Sequence, residues 1–250
     1  QNVSSAIELS NQAMAELNEM AREHGYKGNM FDVNDNIESW YFLPRQAKTV
    51  ASYNSRLDVK NFNVKVLLED QDDLPFLAST VLHENIHQEA AQGLNILRKN
   101  VPDGEVQSRI EEGLTLWAQT IGSGRAKLTI PDEFVSENYV SYLDSVRWGL
   151  LGELKDLDVD QNEATILVLK AAAGDYQPLV KALGGGDREV GWQKFKVAFE
   201  NINNEIDMST SQIEIDTVVE KEGSFLQRVR NIFFDEKGFR LNPFRASKQD

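Results

Sequence analysis

The chain has 250 residues, 41% hydrophobic and 26% charged, with no cysteine and a formal net charge of −14. That length and mixture suit a soluble globular protein with its own core, as one large domain or two small ones. The acid excess repels phosphate backbones and argues against nucleic-acid binding. The lack of cysteine excludes disulfides, thiolate metal sites and thiol nucleophiles.

No apolar run is long enough to span a bilayer. The chain starts at Gln1 rather than Met and has no cysteine, so the expectation leans towards an exported form, secreted or virion-associated. Asn2-Val3-Ser4 fits a glycosylation sequon, a triplet common by chance. Residues 225–250 set Arg228, Arg230, Lys237, Arg240, Arg245 and Lys248 against Asp235, Glu236 and Asp250, so a basic tail closes an acidic chain.

In chain order, residues 4–24 read as a helix, with Ile7, Leu9, Ala13, Met14, Leu17 and Met20 near helical spacing. Residues 25–61 are irregular and rich in aromatics. Phe62, Val64, Val66 and Leu68 then alternate with polar neighbours and predict a strand over 62–68. The acidic turn at 69–73 lacks the spacing of a calcium loop. A long helix follows from about Leu74 to Arg98.

Pro102 and Gly104 break that helix, and Asp103 can cap the next one. The second helix is expected over about 105–120, ending at Gly122-Ser123-Gly124. A third covers about 134–154, a fourth lies within 158–174, and another spans 190–206. Tyr176, beside Gly174 and Pro178, reads as a turn residue, and residues 183–187 (LGGGD) as a linker. Residues 212–220 alternate weakly as a possible strand. The predicted divisions are 1–61, a core at 62–183, and a helical extension with the basic tail at 184–250.

The chemistry concentrates in residues 78–92, ASTVLHENIHQEAAQ. Only three histidines occur in the chain, and His83 and His87 stand four apart. On a helix such residues share one face, so the two imidazoles converge on one point. Glu84 is turned by one residue, beside that point. This is the mechanical content of the H-E-x-x-H pattern, two nitrogen ligands and a carboxylate that can reach a metal-activated water. The competing reading is an ordinary polar helix face. The third histidine, His24, precedes Gly25 at an apparent helix end and reads as a partner of the helix C-terminus.

A catalytic zinc needs a third protein ligand. Residues 110–117 read Ile-Glu-Glu-Gly-Leu-Thr-Leu-Trp. An H-E-x-x-H helix followed by such a Glu-Gly segment resembles the gluzincin zinc metallopeptidases. The resemblance covers about residues 62–155. It implies one zinc ion per chain, held by His83, His87 and Glu112, with Glu84 as general base and a peptide or protein as substrate.

Thr115 stands where a small alanine is usual. Helical periodicity favours Glu111 over Glu112 as the semi-buried carboxylate, so Glu111 stays open as the alternative ligand or as a residue orienting a histidine. The family's oxyanion-stabilising group would here be a tyrosine, Tyr139 by preference and Tyr142 as the alternative. The resemblance also implies an edge strand beside the active helix that holds an extended substrate.

The expected fold is α+β and predominantly helical: a small sheet with an edge strand packed on the H-E-x-x-H helix, then a glutamate helix and a helical C-terminal part. The alternatives from other classes are an inactive metallopeptidase-like binding or structural module, and a self-processing domain of a larger polyprotein.

Overall fold

The apolar spacing of the first segment builds α1 (Asn2–Glu23), which buries Ala13, Met14, Leu17 and Met20. Asn18 on its buried face accepts from the backbone N–H groups of Met30 and Phe31 and donates to the carbonyl of Phe31. These bonds fold the following segment back against α1. The computed structural model describes residues 2–33, 40–43, 51–56, 58–63, 74–128 and 137–200, with the strand residues 234–235 and 238–239. Of residues 2–3, 40–43, 62–63, 137–139 and the last two strands only the backbone is described.

Three short strands form one sheet: β1 (Trp40–Leu43), β2 (Ala51–Asn54) and β3 (Val59–Asn63). The order is β1-β3-β2, with β1 parallel and β2 antiparallel to β3. Of the strand expected over 62–68, residues 62 and 63 lie in β3 and the rest fall outside the described residues. β3 is the middle strand; the edge strand that packs on the H-E-x-x-H helix is β2. Four-residue strands give the eye no alternation to find, which is why β1 and β2 were not legible in the sequence.

The long helix is α2 (Leu74–Ala90), a 3₁₀ turn at Ala91–Gly93, and α3 (Leu94–Asn100). The interruption coincides with a close backbone approach. A Cβ on Gly93 would stand 2.1 Å from the carbonyl oxygen of Gly174, so another part of the chain crosses there at backbone distance. α4 (Gly104–Arg125) is capped by Asp103, whose carboxylate accepts from the N–H groups of Glu105 and Val106.

α4 does not stop at Gly122-Ser123-Gly124 but runs through it. A Cβ on Gly122 would lie 3.2 Å from the carbonyl oxygen of Ala13, so this glycine serves close packing on α1 rather than termination. Arg125, just beyond, pairs with Glu16 and Glu23 of α1.

α5 (Glu137–Asp144) continues through a π-helical stretch, Ser145–Leu150, into α6 (Leu151–Asp156). α7 (Gln161–Ala172), α8 (Gln177–Leu183) and α9 (Arg188–Glu200) complete the helices. Tyr176 lies in the connection between α7 and α8, as expected of a turn residue, and is buried there: it is 1% exposed and packs against Trp192 and Phe195.

Residues 183–187 form a tight capped turn rather than a plain linker. Gly186 N–H returns to the carbonyl of Lys181 and Gly185 N–H to that of Ala182, with Gly185 at φ 58°. Asp187 then caps α9 by accepting from Glu189 and Val190. A short antiparallel pair, β4 (Phe234–Asp235) and β5 (Gly238–Phe239), lies in the basic tail. The strand expected at 212–220 and the turn at 69–73 fall outside the described residues.

One apolar cluster links α1 to α9, from Ala13 through Leu82, Ile86, Ile110, Leu114 and Trp117 to Phe199. The architecture is α+β and predominantly helical, with α2 packed against α1, α4 and β2. Among the described residues no helix is long and apolar enough to cross a membrane.

Candidate metal centre

α2 buries Leu82 and Ile86 against the core, which turns His83 and His87, one residue further on, towards α4. The two imidazoles stand edge to face, with Nε2 atoms 3.1 Å apart. Glu112 meets them from α4. Its Oε2 lies 3.4 Å from His83 Nε2, and its Oε1 lies 3.4 Å from His87 Nε2. The histidine side chains are 14% and 15% exposed and the glutamate 35%, so the cluster is sheltered but reachable.

These spacings are compatible with a metal site. Donor atoms at about 2.0–2.1 Å from one zinc, at tetrahedral angles, stand about 3.3–3.4 Å from each other. Three donors, two imidazole nitrogens and a carboxylate, therefore fit the group that the sequence implies. Among the described residues they form the one cluster of three able to hold a metal ion, with ligand atoms within 4.8 Å of one another.

Burial alone would push the His83 imidazolium down, but the hydrogen bond and charge of Glu112, with Glu84 nearby, outweigh it and raise His83 to about 9. Burial likewise pushes Glu112 up, and the two histidines outweigh it, holding that carboxyl well below the usual range. Glu84 is 6% exposed, and burial raises it, partly offset by the histidine charges. The backbone N–H of Tyr53 donates to Glu84, which ties this carboxylate to edge strand β2. A buried carboxyl raised towards neutrality, beside a metal position, is suited to accept and return a proton.

The structure brings together four of the residues expected from the sequence: His83, Glu84, His87 and Glu112. Glu111 is not in the cluster. It is half-buried, shifted upward by burial, with His87 and Arg98 partly offsetting that rise. His24 stays at the end of α1, its Nδ1 2.8 Å from the carbonyl of Met20. Tyr142 lies half-buried on α5, while the side chain of Tyr139 falls outside the described residues.

The glycine beside Glu112 lets α5 pass close over α4. A Cβ on Gly113 would meet the Phe199 ring at 2.8 Å and the Tyr142 carbonyl oxygen at 3.0 Å. Only a glycine lets α5 cross α4 immediately next to the carboxylate.

Sequence reasoning missed three polar residues behind the histidines. Gln119 Oε1 stands 3.0 Å from His83 Nδ1, and Thr115 Oγ1 stands 3.4 Å from His87 Nδ1. Gln119 Nε2 donates to the carbonyl and hydroxyl of Ser79, each at 3.0 Å. The signal was available: Glu112, Thr115 and Gln119 fall at i, i+3 and i+7, one stripe along α4. Thr115 stood out in the sequence only as a departure from alanine; here its hydroxyl faces the His87 ring. No family model, no curated protein and no solved structure matches the chain.

Proposed function

We propose that the chain is a zinc-dependent metallopeptidase of the gluzincin type, with His83, His87 and Glu112 holding one zinc ion. The observation that supports it is the convergence of two imidazole nitrogens, 3.1 Å apart, on one carboxylate whose two oxygens each lie 3.4 Å from one of them, drawn from two helices. A zinc ion there supplies Lewis acidity, which lowers the pKa of water and polarises a carbonyl oxygen. Glu84, raised by burial and steadied by the Tyr53 amide, takes a proton from water and delivers it to the leaving amine. Glu112, kept ionised by the histidines, supplies the negative charge that makes a dication welcome between two imidazoles. A tyrosine of α5, Tyr139 or Tyr142, supplies a hydrogen bond to the developing oxyanion. The substrate is a peptide or protein.

The test is a pair of variants read by two assays. Glu84→Gln keeps zinc, measured by elemental mass spectrometry, and loses peptide hydrolysis; His83→Ala loses both. Hydrolysis by zinc-loaded Glu84→Gln at the wild-type rate would remove the mechanism. Wild-type protein that binds zinc yet cleaves nothing in a peptide library would leave the reading of an inactive, metal-binding module. The burial of Glu84, 6% exposed, is what keeps that second reading in view.

A further inference from the structure

Gln119 projects from α4 across to α2 and is 7% exposed. Its two amide ends have fixed roles because one neighbour can act in only one way. The backbone carbonyl of Ser79 has no hydrogen to give, so the group 3.0 Å from it must be the amide nitrogen. The amide oxygen then faces His83 Nδ1 at 3.0 Å. That oxygen can only accept, so Nδ1 must carry a hydrogen. A neutral imidazole with its hydrogen on Nδ1 has its lone pair on Nε2, the nitrogen that faces His87 and Glu112.

Turning the amide over would set oxygen against the Ser79 carbonyl in a buried place, at the cost of an unsatisfied acceptor. The Ser79 hydroxyl also accepts from the amide nitrogen at 3.0 Å, which leaves its own hydrogen for Ser123 Oγ at 3.2 Å. Each group donates to the next, from the His83 imidazole through Gln119 and Ser79 to Ser123.

We propose that Gln119 is a positioning residue: it holds His83 in the tautomer whose Nε2 lone pair points at the metal position, and Ser79 and Ser123 hold Gln119. The inference rests on the zinc reading above. Its consequence is that part of the zinc affinity resides in an uncharged amide that touches no metal, as outer hydrogen bonds do for ligand histidines generally.

The experiment compares wild type, Gln119→Met and Gln119→Glu. Methionine matches the size of glutamine but has no comparable acceptor. Glutamate restores the acceptor oxygen for Nδ1–H. Both lose the N–H to Ser79, so both are expected to melt earlier than wild type, and a purely structural role would move them together. Zinc affinity is read by competition with a chelating dye, and the tautomer by ¹H–¹⁵N correlation of the histidine rings in zinc-loaded protein.

The expected result is about 10- to 100-fold weaker zinc binding for Gln119→Met with loss of the hydrogen-bonded His83 Nδ1–H signal. Gln119→Glu is expected to stay close to wild type on both readouts. Wild-type affinity in Gln119→Met, or equal weakening in the two variants, would overturn the proposal while leaving the zinc site in place. A wild type that takes up no zinc at all would overturn the zinc reading and this inference with it.

Discussion

His83 and Glu112 move each other's protonation in opposite directions, and this sets how the centre responds to pH. His83 is raised to about 9, so at pH 7 the metal-free ring is protonated. A metal must displace that proton. Uptake at pH 7 is therefore expected to release about one proton per zinc, and apparent affinity to rise up to about tenfold per pH unit until about pH 9. Calorimetry in buffers of different ionisation enthalpy measures the proton count. A buffer-independent heat would contradict it.

The metal-free fold runs the other way. A raised histidine stabilises fully below its unfolded value of about 6.5, and that contribution fades as pH rises through the folded value. Raising the pH from 6 to 9 should thus weaken the metal-free protein while strengthening its hold on zinc. The choice of third ligand is also decided at this scale. Glu112→Gln is expected to lose zinc and Glu111→Gln to retain it, because only Glu112 reaches both histidine nitrogens. Metal content of the two purified variants tests this directly.

At the scale of elements, glycines govern how closely the helices approach. Replacing a helical glycine by alanine gains up to about 1 kcal/mol from backbone propensity. At Gly113 the added Cβ would meet the Phe199 ring at 2.8 Å and the Tyr142 carbonyl at 3.0 Å. Overpacking of this kind costs about 1–3 kcal/mol, so the net effect of Gly113→Ala is a loss, and zinc affinity should fall because Glu112 is the next residue. Gly93→Ala should be harsher, since its Cβ would lie 2.1 Å from the Gly174 carbonyl oxygen, which cannot move without the α7–α8 connection. Gly104→Ala, with nothing within 4 Å, is the neutral control. Thermal melting of the three ranks them: Gly104→Ala near wild type, Gly113→Ala lower, Gly93→Ala lowest. A Gly93→Ala protein as stable as wild type would show that the α7–α8 connection yields to the added Cβ.

For the whole molecule, the metal position bridges two separate helices of one core. His83 and His87 come from α2 and Glu112 from α4, and both helices bury their other faces in the cluster that runs from α1 to α9. A ligand that binds only the folded chain stabilises it by about 2.7 kcal/mol at a hundred times its dissociation constant. Zinc should therefore raise the melting temperature of the wild type, and chelator should reverse the rise. His83→Ala and Glu112→Gln should melt alike with and without zinc. A zinc-dependent rise that persists in both variants would place the bound ion elsewhere.

What the sequence determined by itself was local. His83 and His87 are four residues apart on one helix, so their common face follows from 3.6 residues per turn, with Glu84 turned by one residue beside it. The helical content of α1, α2, α4 and α7 followed from apolar spacing, and the cap at Asp103 from residue type. Tertiary structure decided what crosses between elements. Periodicity favoured Glu111, and packing chose Glu112, because the stripe of α4 that carries Glu112, Thr115 and Gln119 is the one that meets His83 and His87 of α2. The same reason hid the job of Thr115 and Gln119, whose partners are 28 and 36 residues away in sequence. It also reversed the meaning of Gly122, which read as a helix stop until the backbone of α1 is seen to pass beside it. A helix period says which residues share a face. It does not say what that face will meet, and a metal centre built from two helices depends on that meeting.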